Sequence, residues 1–432
     1  MRELDEIREN GTGTIPPART RTHRLLLGKN SRLELPPAIL RKLGYSAGDK
    51  LEIVEDDGKV EIRPNLHSLA RVYIEPTSRC NLRCRTCIRK TWNEPLGEMD
   101  LETFDRLIAQ LKRFEYLDSV MFGGFGEPMI HKDILGMIRR IKALGVRAEM
   151  TTNGTHLDEP MLGELYDSRL DILWVSFDGT ENAVFESIRQ GANFQRIVDS
   201  LQTLKKMNAR DHHRLHVGIS FVVMKKNVDD LKHIDELARS VGAETVLVSN
   251  VLPYSEELEK EMLCLLTLTT ETFTASELKT EISLPRLDVS PVTRDALFSL
   301  LRGCGSLSIM GNRISAETRR CRFIEDRTTF IRWDGKVSPC MGLLHSHKTF
   351  LYGNERAVRS YTLGDVNDKP LREIWDSNEY KDFREKLRAF NFSPCHVCGG
   401  CSLLEKNEED CYGNTFPACG GCLWAEGIIQ CP

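Results

Sequence analysis

Short apolar runs alternate with helical patterns along the middle of the chain. Between about residues 67 and 252, six apolar segments are predicted as strands, each followed by a connection long enough for a helix. The predicted strands are Val72–Ile74, Ser119–Phe122, Val146–Met150, Asp171–Phe177, Leu215–Met224 and Glu244–Ser249. Helical spacing predicts helices over Leu101–Phe114, His131–Leu144 and Glu181–Met207. This rhythm is typical of an α/β barrel, in which active residues gather at the carboxyl ends of the strands.

The pattern differs on either side of this region. Residues 1–20 are polar and are expected to form a flexible tail. Residues 21–66 are β-rich, with a short helix around Leu40–Leu43 and a hairpin that pairs Lys50–Val54 with Lys59–Arg63 across an Asp-Asp-Gly turn. A hairpin this small is barely stable alone, so we expect it to dimerise or to dock on the next domain.

The second half of the chain is expected to contain two further parts. Residues 253–303 are interpreted as a linker with helical pieces, and residues 304–432 as a cysteine-rich domain. A length of 432 residues with 41% hydrophobic and 28% charged residues fits several globular domains. The net charge of -4 gives no general attraction to nucleic acid. No apolar run is long enough to span a membrane and no signal peptide is visible, so a cytoplasmic location with no membrane contact is expected.

Fourteen cysteines are too many for an ordinary cytoplasmic chain unless they bind metal. Cys80, Cys84 and Cys87 lie within eight residues, directly after a predicted strand. Tetrahedral zinc sites and closed iron–sulfur clusters take four protein ligands, so three thiols leave one metal position open. The alternatives are a zinc knuckle with a distant fourth ligand, or free loop cysteines. Cys264 has apolar neighbours and is expected to be a buried core thiol.

Other polar and glycine-rich segments follow the predicted strands. Gly123–Pro128 follows the second strand, Asn153-Gly154 the third, and Ser176–Asp178 the fourth. Glycines let the backbone approach a ligand closely, and a carboxylate accepts hydrogen bonds from an ammonium group. Ser176 and Asp178 could instead cap the helix that begins near Glu181.

The remaining cysteines concentrate beyond residue 300. The candidate metal ligands there are Cys321, Cys340, Cys395, Cys398, Cys401, Cys411, Cys419, Cys422 and Cys431. Nine thiols suffice for two four-cysteine clusters, and their assignment to one cluster or the other is open. Paired Cys-x2-Cys units also make zinc ribbons. Cys304 is interpreted as a loop cysteine, while His345 and His347 are expected to be exposed polar residues.

The run Cys-x3-Cys-x2-Cys and the Gly-Gly-x-Gly-Glu-Pro segment together resemble the signature motifs of the radical SAM superfamily. The resemblance implies a partial (β/α)6 TIM-like barrel in which Cys80, Cys84 and Cys87 hold a [4Fe–4S] cluster with an iron open for S-adenosylmethionine (SAM). It also implies an electron transfer that cleaves SAM reductively to a 5′-deoxyadenosyl radical. The implied SAM contacts are Gly124, Gly126, Glu127, Ser176 and Asp178. Thr86 departs from the family, which often has an aromatic residue at that position near the adenine.

The two flanking regions resemble other families. The cysteine-rich region resembles the SPASM domain, which implies one or two auxiliary [4Fe–4S] clusters, although its spacing departs from Cys-x2-Cys-x5-Cys-x3-Cys. Its end, Asp410–Ala425, resembles proposed maturases of tungsten-cofactor oxidoreductases of the aldehyde:ferredoxin oxidoreductase type. Residues 21–66 resemble an AbrB-like (SpoVT-type) swapped-hairpin domain, through Arg32 with Leu35-Pro36, Arg41–Gly44 and Gly48–Leu51, with Ser31 where glycine usually precedes the arginine. That resemblance implies a homodimer, with DNA as a less favoured partner.

Three functions follow from these resemblances. The first is a maturase acting on a tungsten-dependent oxidoreductase or its cofactor, and the second is a maturase that modifies a small precursor peptide. The third is an iron–sulfur DNA-binding redox regulator, against which the SAM-binding motifs argue. The expected partners of a maturase are the client oxidoreductase or precursor peptide and a low-potential electron donor such as ferredoxin or flavodoxin. No general acid or base is identified from the sequence.

Overall fold

The computed structural model describes residues 35–56, 59–92, 94–210, 214–265, 281–285, 287–288, 290–303, 306–309, 312–313, 320–395 and 401–432. The strands are β1 Glu52–Asp56, β2 Lys59–Arg63, β3 Arg71–Ile74, β4 Ser119–Phe122, β5 Arg147–Thr152, β6 Ile172–Ser176, β7 His216–Val223, β8 Thr245–Asn250, β9 Glu281–Leu284, β10 Ser306–Ile309, β11 Asn312–Arg313, β12 Thr328–Ile331, β13 Lys336–Ser338, β14 His347–Leu351, β15 Asn354–Val358 and β16 Gly364–Asp365. The α-helices are α1 Pro37–Leu43, α2 Leu101–Leu111, α3 Ile134–Lys142, α4 Glu159–Asp167, α5 Asn182–Ile188, α6 Phe194–Asn208, α7 Ile234–Val241, α8 Glu256–Lys260, α9 Pro291–Gly303, α10 Arg322–Glu325, α11 Leu371–Trp375 and α12 Asn378–Ala389.

A nine-stranded sheet forms the centre of the molecule, in the order β16-β13-β12-β3-β4-β5-β6-β7-β8. Strands β3 to β8 are neighbours in chain order and pair in parallel. All four residues of β4 are buried, as expected of a parallel strand with both faces covered. The six strands predicted from the apolar pattern are confirmed, with bounds that differ by one or two residues. The α/β class and the partial barrel are therefore confirmed.

The helices pack an apolar face on this sheet. In α2, the Asp100 carboxylate accepts a hydrogen bond from the backbone N–H of Thr103 at 2.7 Å and so caps the helix. The same helix buries Phe104, Leu107 and Leu111 at the spacing that the sequence predicts. Burial of this face fixes α2 between the strands that it connects.

One predicted helix is wrong. The segment predicted as a single helix over Glu181–Met207 contains two helices, α5 and α6. Gly191 has a φ of 97°, a left-handed conformation that ends helical geometry, and the Asn193 side chain accepts from the backbone N–H of Arg196 at 2.8 Å to begin α6. The break places Arg189 in the connection between the two helices.

Three strands of the C-terminal region extend the sheet, while β14 and β15 form a separate antiparallel pair. Strand β12 pairs in parallel with β3, and β13 and β16 continue the sheet in antiparallel order. Residues 428–432 lie at the other edge, where the Ile428 carbonyl accepts from Asn250 Nδ2 at 3.1 Å and Gln430 N donates to Ser249 Oγ at 2.9 Å. Tyr73 at the end of β3 donates its hydroxyl to the Pro432 carbonyl. These residues therefore bridge the first and last strands of the partial barrel.

The predicted N-terminal hairpin is confirmed: β1 and β2 pair antiparallel, with Glu52 opposite Arg63. Its turn residues 57–58 and residues 1–34 lie outside the described residues, so the AbrB-like domain and its homodimer stay predictions. In the region predicted as a linker, β9 pairs in parallel with β10, a strand that the sequence did not indicate. No described helix has the length and apolar character that crossing a bilayer requires.

Candidate active site

A cavity of about 290 Å³ opens at the carboxyl ends of the parallel strands. Cys80, Cys84 and Cys87 all line it, together with the Gly123–Glu127 loop that follows β4. This is where a parallel barrel gathers its reactive residues. The structure thus brings the predicted cysteine trio and the glycine-rich loop into one site.

Two of the three thiols meet donors that favour a charged sulfur. Arg89 Nε lies 3.3 Å from the Cys87 sulfur, and the Leu82 backbone N–H donates to the Cys80 sulfur at 3.4 Å. Burial raises the pKa of the Cys84 thiol to about 11 in the metal-free chain. Such a thiol becomes a thiolate when a metal binds it, because metal binding releases the proton. The trio therefore fits a cluster that uses three protein ligands.

Glycine is required at two positions of the loop. A Cβ atom on Gly126 would meet the carbonyl oxygens of Thr77 and Arg79, the latter at 2.6 Å. Gly124 has a φ of 110°, and its Cβ would lie 2.7 Å from the Glu75 side chain. The loop is thus packed directly against the segment between β3 and the cysteine trio. All five residues of the loop line the cavity.

Glu127 is buried and fully hydrogen-bonded within the protein. Its carboxylate accepts from the backbone N–H groups of Met129 at 3.1 Å and Asn153 at 2.7 Å, and from the Thr152 hydroxyl at 2.8 Å. Burial raises its pKa despite these bonds. Glu127 lines the cavity, and its bonds hold the ends of β4 and β5 together. A direct SAM contact by Glu127 stays a prediction.

Ser176 and Asp178 occupy different environments. Ser176, the last residue of β6, lines the cavity. Asp178 is fully buried behind it, accepts from the Val222 backbone N–H at 3.0 Å and forms an ion pair with Arg189 at 2.9 Å. Neither residue caps α5, whose N-cap is Glu181. Arg189, a residue that the sequence did not single out, lines the cavity and links Asp178 to it.

Cys431 also lines this cavity. Trp424 Nε1 lies 3.3 Å from its sulfur, and both residues line the cavity with Gln430 and Pro432. The sequence grouped Cys431 with the auxiliary ligands. The structure places it on the wall of the cavity that the cysteine trio also lines, on the segment that bridges β3 and β8, and its role as an auxiliary ligand stays a prediction.

Four other C-terminal thiols converge in the interior. Cys321, Cys340, Cys419 and Cys422 line one common cavity, and the charge of each neighbouring thiol raises the already high pKa of Cys340 further. The chain contributes Cys321 and Cys340 from either side of the β12–β13 hairpin. Among the described residues no three His, Cys, Asp or Glu side chains are arranged around a single metal ion. A [4Fe–4S] cluster binds its four thiolates through different irons.

A buried arginine supports an anionic group at this place. Arg356 is 8% exposed, and its Nη1 atom has no hydrogen-bond partner among the residues that the structure describes. Burial lowers its pKa, while the nearby thiols of Cys395, Cys422 and Cys419 raise it. A buried cation without a full set of partners is costly unless an anion compensates it. The four thiols and Arg356 therefore fit an auxiliary cluster.

The remaining candidate ligands are only partly assembled. Cys411 donates to Ser393 Oγ at 3.0 Å, close to Cys395, and the Asp410 carboxylate fixes this loop by accepting from Ser393 N at 2.9 Å. Cys401 is exposed, and Cys398 and Cys304 lie outside the described residues. A second auxiliary cluster stays a prediction. Cys264, by contrast, is buried among apolar residues as predicted.

The two histidines predicted as exposed are buried, which is a correction. His345 is 1% exposed and His347 6% exposed. His345 lies between the carboxylates of Glu75 and Glu94, and His347 Nδ1 lies 3.0 Å from the His345 carbonyl oxygen. The prediction failed because these partners are remote in sequence. The only local signal was a charged residue, Glu75, directly after an apolar strand.

Two family models match the chain. The model of the radical SAM superfamily matches residues 74–238, and that of SPASM, an iron–sulfur cluster-binding domain, matches residues 321–402. The fold and the site thus define a SAM-dependent iron–sulfur enzyme. A [4Fe–4S] cluster, SAM and auxiliary iron–sulfur clusters are its cofactors.

Similar proteins extend this result over most of the chain. It is 30% identical over 368 residues to the tungsten-containing aldehyde ferredoxin oxidoreductase cofactor-modifying protein of Pyrococcus furiosus, covering 84% of this chain and 96% of that protein. It is 25% identical to the PqqA peptide cyclase of Rhodopseudomonas palustris, covering 81% and 86%. The crystal structure of Streptococcus suis SuiB bound to precursor peptide SuiA shares the fold, with a TM-score of 0.52, 16% identity and coverage of 80% and 72%. The chain belongs to the radical SAM superfamily and carries a SPASM domain.

Proposed function

We propose that this enzyme cleaves SAM reductively and acts as a maturase of a tungsten-dependent oxidoreductase of the aldehyde ferredoxin oxidoreductase type, or of its cofactor. The observation that carries the proposal is the meeting of Cys80, Cys84 and Cys87 with the Gly123–Glu127 loop in one cavity. The Pyrococcus furiosus relative, whose alignment spans nearly that whole protein, supports the choice of client.

In this proposal Cys80, Cys84 and Cys87 hold the catalytic cluster. When bound, the cluster and SAM supply a 5′-deoxyadenosyl radical that abstracts hydrogen from a substrate. The backbone of Gly124–Gly126 accepts the ammonium of SAM, and Arg189 provides a cation for its carboxylate. Asp178 holds Arg189 in place at 2.9 Å. A low-potential donor such as ferredoxin or flavodoxin supplies the electron.

In this proposal the substrate lies against Trp424, Gln430 and Cys431, which line the same cavity as the cysteine trio. Gln430 and Cys431 belong to the residues that bridge β3 and β8. The auxiliary ligands Cys419 and Cys422 lie just before Trp424 in the chain. The SPASM domain therefore contributes both an auxiliary cluster and part of the substrate pocket, which keeps water away from the reacting atoms.

The relation to PqqA peptide cyclase favours a second candidate, a maturase that modifies a precursor peptide. The two candidates differ in what must enter the cavity: a small cofactor in one case and a peptide segment in the other. A short precursor gene beside this one would favour the peptide, and an oxidoreductase gene would favour the tungsten enzyme. Turnover of each substrate by the purified enzyme would then decide between them.

The first test is SAM cleavage. The protein is reconstituted anaerobically with iron and sulfide, reduced, mixed with SAM and assayed for 5′-deoxyadenosine by chromatography. We expect product from the wild type and from Cys264→Ala, whose buried thiol is not among the residues that line the cavity, and none from Cys84→Ala. Absence of product from a wild-type protein with full iron content would refute the proposal. The client is tested by activating an oxidoreductase isolated from a strain that lacks this gene.

A further inference from the structure

A histidine is shared by two carboxylates deep inside the molecule. His345 Nε2 lies 2.9 Å from Glu75 Oε2, and its Nδ1 lies 2.6 Å from Glu94 Oε2. The side chains of His345 and Glu75 are each 1% exposed. The Trp92 ring lies against the imidazole, with ring centres 4.2 Å apart. No step of the proposed reaction uses these groups.

The geometry requires a particular protonation state. A carboxylate only accepts hydrogen bonds, whereas a neutral imidazole has a single N–H. Both contacts are therefore satisfied at once only when His345 is an imidazolium. The Trp92 ring favours the same charge through a cation–π contact. Once His345 is neutral, one of the two carboxylates faces a nitrogen lone pair.

Glu75 connects this histidine to the glycine-rich loop. Its other oxygen, Oε1, accepts the backbone N–H of Phe125 at 3.1 Å. The Gly124 backbone packs directly on the Glu75 side chain, and the Phe125 ring meets the His345 ring edge-on at 5.9 Å. His345 itself follows the auxiliary ligand Cys340 by five residues. One chain of contacts thus runs from the SPASM domain through His345 and Glu75 to the loop.

We propose that His345 is a positioning residue for the SAM site: as an imidazolium between Glu75 and Glu94, it fixes the carboxylate that holds the glycine-rich loop, so that SAM affinity depends on its proton. This inference rests on the proposed function, in which that loop binds SAM. His345 does not touch SAM in this scheme. It acts only through Glu75 and the Phe125 backbone.

The charges that face this group set the direction of the pH effect. Arg332 pairs with Glu94 at 3.0 Å and also with Asp334, and the buried His347 follows on the same segment. The two carboxylates outweigh burial and raise the pKa of His345 from 6.5 to about 8. His345 therefore contributes fully below pH 6.5, and its contribution is lost as the pH rises through about 8.

The acid side has a different origin. Hydrogen bonds from His345 and Ser346, with the charge of Arg332, outweigh burial and lower the pKa of Glu94 from 4.5. The contribution of Glu94 is thus present above pH 4.5 and is lost as the pH falls through its lowered pKa. Burial lowers the pKa of His347 to about 4, so His347 is neutral across the range that matters here. The alkaline limb, meaning the loss of SAM affinity at higher pH beyond the loss caused by deprotonation of the ammonium of SAM itself, is therefore the quantity that reports His345.

The experiment measures SAM affinity of the reconstituted enzyme by anaerobic equilibrium binding, one pH unit below and one above the pKa of about 8. For the wild type we expect SAM to bind about tenfold more weakly at the higher pH, the scale of one lost charged hydrogen bond. For His345→Gln we expect the weaker binding at both pH values. The spectral change of the cluster on SAM addition should follow the same profile.

Two further variants separate positioning from general stability. In Glu75→Gln the amide oxygen still accepts from Phe125 N while its NH₂ donates to a neutral His345, so the alkaline limb should disappear. His216→Gln is the matched control, because His216 is a buried histidine 2.9 Å from Glu244 at the opposite end of the barrel. It should keep the wild-type pH profile. Melting temperatures of all variants report folding.

The outcomes distinguish a failure of the proposed function from a failure of the role proposed for His345. Wild-type enzyme that binds no SAM at either pH would overturn the proposed function and this inference together. Wild-type affinity that is the same at both pH values, or an alkaline limb retained in both His345→Gln and Glu75→Gln, would overturn the inference alone. Loss of the limb in His345→Gln and Glu75→Gln but not in His216→Gln would establish it.

Discussion

The buried pair Asp178–Arg189 makes the most quantitative prediction. The Asp178 side chain is fully buried, the Arg189 side chain is 12% exposed, and Nε lies 2.9 Å from Oδ2. Asp178→Asn keeps the shape of the side chain and removes its charge, so that a buried guanidinium loses its counter-ion. Removing one partner of a buried ion pair costs about 3–5 kcal/mol. We therefore expect the free energy of unfolding to fall by about that amount.

The assay is anaerobic urea denaturation of the reconstituted protein. The control is Glu164→Gln, which breaks a pair with Arg139 at 2.7 Å whose side chains are 53% and 49% exposed. An exposed pair of this kind contributes about 0–1 kcal/mol. The two substitutions are chemically alike, so the difference between them reports burial alone.

A double variant adds a stricter criterion. Asp178→Asn combined with Arg189→Met removes both charges and leaves no buried ion alone, so part of the lost stability should return. A loss in Asp178→Asn no larger than in Glu164→Gln would refute the argument. So would a double variant less stable than the two single effects added together.

Two further predictions concern the loop and the cysteines. Gly126→Ala places a Cβ against backbone carbonyls that cannot move aside, so SAM affinity should fall and the free energy of unfolding should drop by about 1–3 kcal/mol. Gly136→Ala is the control, because a Cβ there meets open space and should not lower stability. SAM-binding and melting curves of both variants test this prediction. Cys422→Ala should lose the iron of one cluster, about four atoms per chain, while Cys431→Ala should keep full iron. Equal iron loss in the two variants would show that Cys431 is an auxiliary ligand.

Local patterns predicted the framework of this molecule well. The strands β3 to β8 were visible because each is a short apolar run, and Cys80, Cys84 and Cys87 because ligands in one loop have a fixed spacing. The position of the glycine-rich loop followed from the rule that parallel strands end at one edge. These inferences need only neighbouring residues.

The missed features all depend on contacts between remote parts of the chain. His345 and its partner Glu75 are 270 residues apart in the chain, so the sequence near the histidine does not predict that it is buried. The break at Gly191 was overlooked because apolar residues continue at helical spacing on both sides of it. Arg189 enters the cavity only through that break. Tertiary contacts, not local preference, decided these positions.

The same contacts explain why the SPASM domain belongs to the active site. A parallel sheet of six strands leaves the outer edge of β3 unpaired, and an unpaired buried edge is costly. Strand β12 covers that edge, with Phe330 opposite Tyr73, while the segment that reaches Pro432 returns to β8 and to the Tyr73 hydroxyl. Cys340 and His345 come directly after the β12–β13 hairpin in the chain. The element that completes the sheet thus also carries Cys340, a candidate auxiliary ligand, and His345, whose contact with Glu75 leads to the glycine-rich loop, so the same packing that covers the edge of β3 also places residues beside the proposed SAM site.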